Sequence, residues 1–285
     1  MTEVKTLGVV GAGQMGAGIA QVAAASGLRV LLVDVDHDAV ERALSRIQKG
    51  LDKQVAKGAL AADDAAATIS RISGGTKLAR FEEAEYVIEA ATEREELKKQ
   101  IFVQVDGIVK DEVIIATNTS SISITRLASS TKRPDRFIGM HFMNPVPVMK
   151  LVEIIPGLQT SEMTLQITRT LAERCGKTTI KSDDQPGFIV NRVLMPMINE
   201  AIFALSEGLG SPEDIDLGMK LGTNHPMSPL QLADFIGLDT CLAIMQVLHD
   251  GLGDDKYRPA PLLRRYVDAG WLGNKTGRGF YLHDK

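Results

Sequence analysis

The sequence predicts an α/β protein, with a doubly wound, mostly parallel sheet joined to a second, all-helical C-terminal domain. Three observations predict it. The stretch Leu7–Gly16, LGVVGAGQMG, drives a short apolar strand directly into a glycine turn and the start of a helix. Short apolar strands and helical periods then alternate as far as Ile180, the pattern of βα units laid around a parallel sheet. Beyond Asp184 the strands stop, and apolar residues recur only at helical spacing.

The glycine turn carries the first chemistry. In Gly11-Ala12-Gly13-Gln14-Met15-Gly16 the first glycine permits a tight turn and the second lets the backbone approach a pyrophosphate. The third lets helix and strand pack closely. The N–H groups and positive dipole end of the helix that follows then hold the phosphates. A bare G-x-G-x-x-G is weak, because 26 glycines in 285 residues produce near matches by chance. Here a second strand, Arg29–Val33, ends in Asp34, 18 residues after Gly16. A carboxylate there accepts hydrogen bonds from the adenosine ribose hydroxyls and repels a 2′-phosphate. The reading is a Rossmann-type dinucleotide site. It places Gly11, Gly13, Gln14, Met15, Gly16 and Asp34 at the cofactor, with NAD favoured over NADP.

Composition narrows the class. The chain is 44% hydrophobic and 24% charged, which is ordinary for a soluble globular enzyme. A net charge of −4 without long runs of one sign gives nucleic acid nothing to select. Two cysteines, Cys175 and Cys241, with no CxxC, fit a reducing cytoplasm. No apolar run approaches the ~20 residues of a membrane helix, and a strand beginning almost at once leaves no room for a signal peptide. The five histidines form no H-x-x-x-H pair, so no zinc site is expected.

Taken in order, His37–Lys57 reads as a long amphipathic helix, with Val40, Leu44, Ile47, Leu51 and Val55 as its buried stripe. Arg42, Arg46, Lys49, Lys53 and Lys57 share a second face. That face is either an ordinary solvated surface or a landing strip for a polyanionic ligand. A helix over Ala59–Ala67 and strands over Ile69–Leu78 and Tyr86–Glu89 follow. Arg94–Lys110 reads as a helix with Leu97, Ile101 and Val105 inward. Val113–Thr117 has the apolar character of a strand covered on both faces. It leads into Asn118-Thr119-Ser120-Ser121, a polar cluster at the end of a strand where ligands of open α/β sheets gather. Further strands are expected at Phe137–His141, Leu151–Ile155 and Thr178–Ile180. Between the last two, a helix over Ser161–Cys175 carries Met163, Ile167 and Leu171 on one side.

A boundary near Asp184 separates a nucleotide-binding domain, 1–184, from a helical domain, 185–285, assigned to the substrate cleft and dimerisation. In the second, Val190, Val193, Leu194, Met197, Ile198, Ala201, Ile202 and Leu205 form a broad stripe that suits an interdomain helix or a dimer interface. Pro196 interrupts this helix. Ser211-Pro212 and Ser228-Pro229 mark helix starts.

A second chemical constellation lies at Phe137–Pro147, where a strand ends in His141 and a proline-stiffened loop follows. Leu151-Val152-Glu153-Ile154-Ile155 then puts one carboxylate inside an apolar strand. A buried, unpaired carboxylate is costly, so Glu153 needs a partner. The two-proline connection can return the chain so that Glu153 meets His141. A paired carboxylate orients an imidazole and supports its protonated form, as a general base requires. A lone strand histidine is commonly structural. Beside a dinucleotide site it is the group that takes a hydroxyl proton as hydride leaves.

GAGQMGAGIAQVAAASG, ATNTSS, HFMNPVPVMKLVEI, DQPGFIVNR and NKTGRGFY occur in that order along nearly the whole chain. On these motifs the chain resembles the L-3-hydroxyacyl-CoA dehydrogenases, most of all their bacterial short-chain 3-hydroxybutyryl-CoA branch. HFMNPVP followed by LVEI is highly specific, whereas the glycine turn is not. The resemblance implies that His141 is the acid/base, Glu153 its carboxylate partner, and Ser120 and Asn191 hydrogen-bonding groups for the reacting oxygens. It points to Asp34, Glu93, Lys98, Asn144 and Lys275 around the cofactor. It also implies a CoA thioester at the Arg42–Lys57 helix, with Lys53 and Lys57 as substrate contacts. Gly50 departs from the pattern, standing where some relatives carry serine. The implied reaction is reversible oxidation of an (S)-3-hydroxyacyl-CoA by NAD, in a cytoplasmic homodimer formed through the helical domain. A β-hydroxyacid dehydrogenase would rely on a catalytic lysine. A structural protein on the same fold, as in some lens crystallins, would have little use for Ser120, His141, Glu153 and Asn191.

Overall fold

Eight short strands form one sheet: β1 (Thr6–Val10), β2 (Arg29–Val33), β3 (Ile72–Gly75), β4 (Tyr86–Glu89), β5 (Ile114–Thr117), β6 (Phe137–Phe142), β7 (Leu151–Pro156) and β8 (Thr178–Lys181). They belong to a computed structural model that describes residues 4–283. Across the sheet the order is β3-β2-β1-β4-β5-β6-β7-β8. Every neighbouring pair is parallel except β6 and β7. The chain therefore enters mid-sheet at β1, winds outward to β3, returns to β4 and winds the other way. This is the doubly wound arrangement, with its switch point between β1 and β4.

The crossovers are α1 (Gln14–Ala25), α2 (His37–Ala56), α3 (Ala62–Ser70), α4 (Glu95–Asp106) and α5 (Ile124–Ala128), with α6 (Glu162–Arg174) before β8. Strands β4, β5 and β6 are buried along their whole length, as apolar runs between helical layers must be. This sheet unit spans Met1–Gln185, and a helical unit spans Pro186–Lys285. The helical unit contains α7 (Val190–Ser206), α8 (Pro212–Gly222), α9 (Pro229–Ile236), α10 (Leu238–Leu252) and α11 (Pro261–Asp268). Its core gathers Met195, Ile198, Ile202, Leu230, Leu238, Met245 and Leu248. Among the described residues, no single helix is long and apolar enough to cross a membrane.

Several expectations shift, each for a local reason. Helix α2 is capped at Lys57, and Gly58 turns the chain at φ +68°, so the next helix begins at Ala62 rather than Ala59. The following strand contracts to β3, and Leu78–Glu83 becomes a 3₁₀ turn that buries Phe81. In α4 the buried residues are Lys98, Phe102, Val105 and Asp106, while Leu97 and Ile101 are only half-buried. The helix is rotated because Lys98 and Asp106 find charged partners inside, Glu89 and Arg133. In α6, Met163 faces solvent and Thr164 and Thr168 are buried. The Thr168 hydroxyl bonds the Tyr86 hydroxyl at 2.8 Å and donates to Thr164 O, so it is satisfied in the core. In α7, Val193 is exposed, whereas Asn199 is buried. Its amide donates to Arg258 O and accepts from the Ala260 N–H.

Candidate active site

Strands β2, β1, β4, β5 and β6 are mutually parallel, so the loops leaving their C-terminal ends emerge at one edge. That edge carries most of the residues the sequence singles out. Gly11 has φ +98°, and a Cβ there would lie 2.7 Å from Ala90 O. A Cβ at Gly16 would collide with the Gly11 carbonyl oxygen. At Gly13, by contrast, nothing lies within 4 Å of the Cβ position. No side chain caps α1, and its first turn holds no acidic residue. Uncapped N–H groups beneath open space fit a dinucleotide pyrophosphate.

The Asp34 carboxylate accepts from the Ala12 N–H at 2.7 Å through Oδ2 and from the Asp36 N–H at 3.1 Å through Oδ1. It therefore pins the glycine turn to the end of β2. Gln14 Nε2 donates to Asn144 Oδ1 at 2.9 Å, joining that turn to the loop after β6. The same loop is anchored from behind by Lys177, whose Nζ donates to Val146 O at 2.5 Å and Met149 O at 2.8 Å. Burial pushes the Lys177 ammonium below its ordinary pKa.

At the end of β4, Glu93 Oε1 accepts from Thr119 Oγ1 at 2.5 Å, the Ser120 N–H at 2.8 Å and Ser121 Oγ at 3.2 Å. One carboxylate thus holds the whole polar loop after β5. Asn118 ties that loop to the next strand by accepting the Phe142 N–H at 2.8 Å. Strands β6 and β7 pair with His141 opposite Glu153. His141 Nδ1 lies 2.8 Å from Glu153 Oε2, and Glu153 has no exposed surface. An ionised carboxylate only accepts, so Nδ1 is the donor of this bond.

Lys98, expected at the cofactor, forms a buried ion pair with Glu89. It is wholly buried, with Nζ 2.6 Å from Glu89 Oε1, 3.2 Å from Ala91 O and 3.4 Å from Glu93 Oε2. On α2, Arg42, Arg46, Lys49 and Lys53 line an open groove of about 820 Å³, while Lys57 is the exposed cap residue of the helix. In the helical unit, Asn191 is buried on the first turn of α7. Lys275 Nζ donates to Asp239 Oδ1 at 2.7 Å and Thr240 Oγ1 at 3.1 Å.

Two family models cover the chain. Residues 6–185 match the 3-hydroxyacyl-CoA dehydrogenase NAD binding domain, and residues 187–283 match the C-terminal domain of the same enzymes. The chain belongs to the 3-hydroxyacyl-CoA dehydrogenase family. Its 3-hydroxybutyryl-CoA dehydrogenase relative from Bradyrhizobium diazoefficiens is 54% identical over 98% of this chain and 95% of that protein. A probable 3-hydroxybutyryl-CoA dehydrogenase of Bacillus subtilis is 56% identical over 99% of both. The solved (S)-3-hydroxybutyryl-CoA dehydrogenase of Ralstonia eutropha superposes with a TM-score of 0.97 at 54% identity, covering 99% of this chain and 100% of that one.

As a 3-hydroxyacyl-CoA dehydrogenase family member, the chain carries the family's NAD-binding domain, and NAD is its cofactor. Two residues that support this edge escaped sequence reasoning, Glu89 and Lys177, while Asn118 was read as part of the polar strand-end cluster without its tie to Phe142. Glu89 was within reach, because Tyr86-Val87-Ile88-Glu89 sets a carboxylate at the end of an apolar strand, the same signal that singled out Glu153.

Proposed function

We propose that the protein interconverts (S)-3-hydroxybutyryl-CoA and acetoacetyl-CoA, using NAD as hydride acceptor in one direction and NADH as donor in the other. The observation that carries this reading is the buried His141–Glu153 pair on the sheet edge that also bears the glycine turn. The names of the relatives supply the substrate.

In oxidation, His141 Nε2 takes the substrate hydroxyl proton as the C3 hydride leaves, and the Nδ1–H···Glu153 bond steadies the resulting imidazolium. In reduction, the same Nε2–H returns its proton to the oxygen at C3. The nicotinamide, when bound, supplies only the hydride chemistry. Ser120 and Asn191 donate to the reacting oxygens, a role worth about 3 kcal/mol per well-placed donor in comparable oxyanion sites. The basic groove on α2 supplies countercharge for the phosphates of CoA.

We further propose a homodimer formed through the helical unit. Leu209, Leu217 and Leu221 are exposed there, beside an apolar groove of about 550 Å³ lined by Met197, Leu209, Ile215 and Met219. The two buried free thiols, Cys175 and Cys241, suit the reducing cytoplasm.

The direct test is loss of NADH absorbance on adding acetoacetyl-CoA. No turnover with that substrate, in protein that still binds NADH, would overturn the reading. Two variants examine its parts. Asp34→Asn keeps an acceptor for the Ala12 N–H but removes the charge facing a 2′-phosphate. The ratio of kcat/KM for NADPH to that for NADH should rise about tenfold, the equivalent of roughly 1.4 kcal/mol of relieved repulsion. An unchanged ratio would remove Asp34 from the ribose. Reversing charge at Lys53 and Lys57 should raise KM for the thioester about tenfold at low salt, fading at high salt, with kcat nearly constant. An equal loss with a pantetheine thioester lacking the nucleotide would place the CoA phosphates elsewhere.

A further inference from the structure

Behind Ser120 lies a buried arrangement of charge that the proposed reaction does not use directly. Glu89 and Lys98 both have no exposed surface. Glu89 Oε1 accepts from Lys98 Nζ at 2.6 Å and from the Ala91 N–H at 2.7 Å, and its Oε2 accepts from Thr117 Oγ1 at 2.6 Å. The same ammonium stands 3.4 Å from Glu93 Oε2, 0.8 Å (3.4 − 2.6) farther than from Glu89. Glu93 in turn spends its other oxygen on the three bonds to Thr119, Ser120 and Ser121. One lysine therefore stands between two carboxylates and sits on the one whose oxygens bond Ala91 and Thr117 rather than Thr119–Ser121.

We propose that Glu89 is a positioning residue for the reaction: by holding Lys98 off Glu93, it keeps Glu93 on the Thr119–Ser121 loop and so sets Ser120. This deepens the functional reading above and rests on it. The physical reason is that a buried ammonium cannot be left without countercharge. Remove the charge at Glu89, and the nearest remaining carboxylate is Glu93, whose side chain is 38% exposed and has room to swing. It then closes on Lys98, and the three bonds to the loop lengthen. Thr117 adds a second tie, because it lies on β5, the strand that delivers Ser120.

Glu89→Gln preserves shape, an acceptor for the Ala91 N–H and a polar partner for Thr117. It should lower kcat for acetoacetyl-CoA about tenfold, the scale of a slightly misplaced contact group. The E89Q/K98M double variant removes the ammonium that draws Glu93 away, so its kcat should exceed that of E89Q. A merely structural role predicts the opposite, a double variant at least as impaired as the single one. A double-variant kcat equal to or below that of E89Q, or an unchanged kcat in E89Q, would overturn the proposal. Should E89Q fail to fold, E89D and E89D/K98M carry the same comparison, since E89D keeps the charge but draws it back by one methylene. A crystal structure of the folded single variant provides a readout without substrate, in which the Lys98 Nζ–Glu93 separation should shorten from 3.4 Å to about 2.8 Å, the length of a charge-assisted bond. Inactive wild-type protein would sink the functional reading, whereas an unmoved Glu93 would sink only this one.

Discussion

His141→Ala is expected to lower kcat about 10³-fold, within the range of a lost general acid–base, while NADH still binds. The imidazole lies at the end of β6, whereas the glycine turn proposed to receive the cofactor is built on β1 and α1. Glu153→Gln should be milder, about 10- to 100-fold, because the imidazole remains and the Gln carbonyl can still accept from Nδ1, while the charge that offsets the imidazolium is lost. The decisive measurement is the double variant. In the proposed mechanism Glu153 acts through His141 Nδ1, 2.8 Å away, so removing it after the imidazole is gone should add little. Losses in kcat that simply multiply would show that the two residues act separately. Fluorescence titration with NADH keeps binding apart from chemistry in every variant.

Gly16→Ala is expected to cost at least about 3 kcal/mol of stability, the upper range for overpacking, because the obstructing atom is backbone and cannot swing away. The new methyl would meet the Gly11 carbonyl oxygen inside the turn itself. Gly13→Ala makes the contrast. Its Cβ meets nothing within 4 Å, and its φ of −67° is open to any residue. The protein should melt within a few degrees of wild type, yet NADH affinity should fall about 100-fold as the methyl takes space needed by the pyrophosphate. Thermal denaturation with and without NADH separates the two outcomes. If G13A bound NADH as wild type does, the pyrophosphate would not lie over this turn.

The doubly wound fold was legible in the sequence because its signals are local. Glycines at 11, 13 and 16 report backbone geometry within six residues, and the apolar runs of β1, β2, β4 and β5 report burial on both faces. Among the candidate site residues, those on strand-end loops were legible for the same reason. Such loops follow apolar strands directly, as Asp34 follows Arg29–Val33 and Ser120 follows Ile114–Thr117.

The tertiary structure alone decided which charges meet. Lys98 is nine residues from Glu89, on a helix whose apolar positions suggested Leu97 and Ile101 as the inner face. A buried carboxylate at the end of β4 turned the helix instead, because an ion pair left half-buried costs more than two half-exposed aliphatic side chains. The register that sets His141 opposite Glu153, the Asn118 bond to the Phe142 N–H and the grip of Lys177 on Val146 and Met149 all join separate segments. By itself the sequence determined the alternation of strands and helices, the glycine chemistry and the identity of the polar loops, since each depends on near neighbours along the chain. Pairing among buried charges depends on neighbours in space, and only the packed sheet and its helices bring those together.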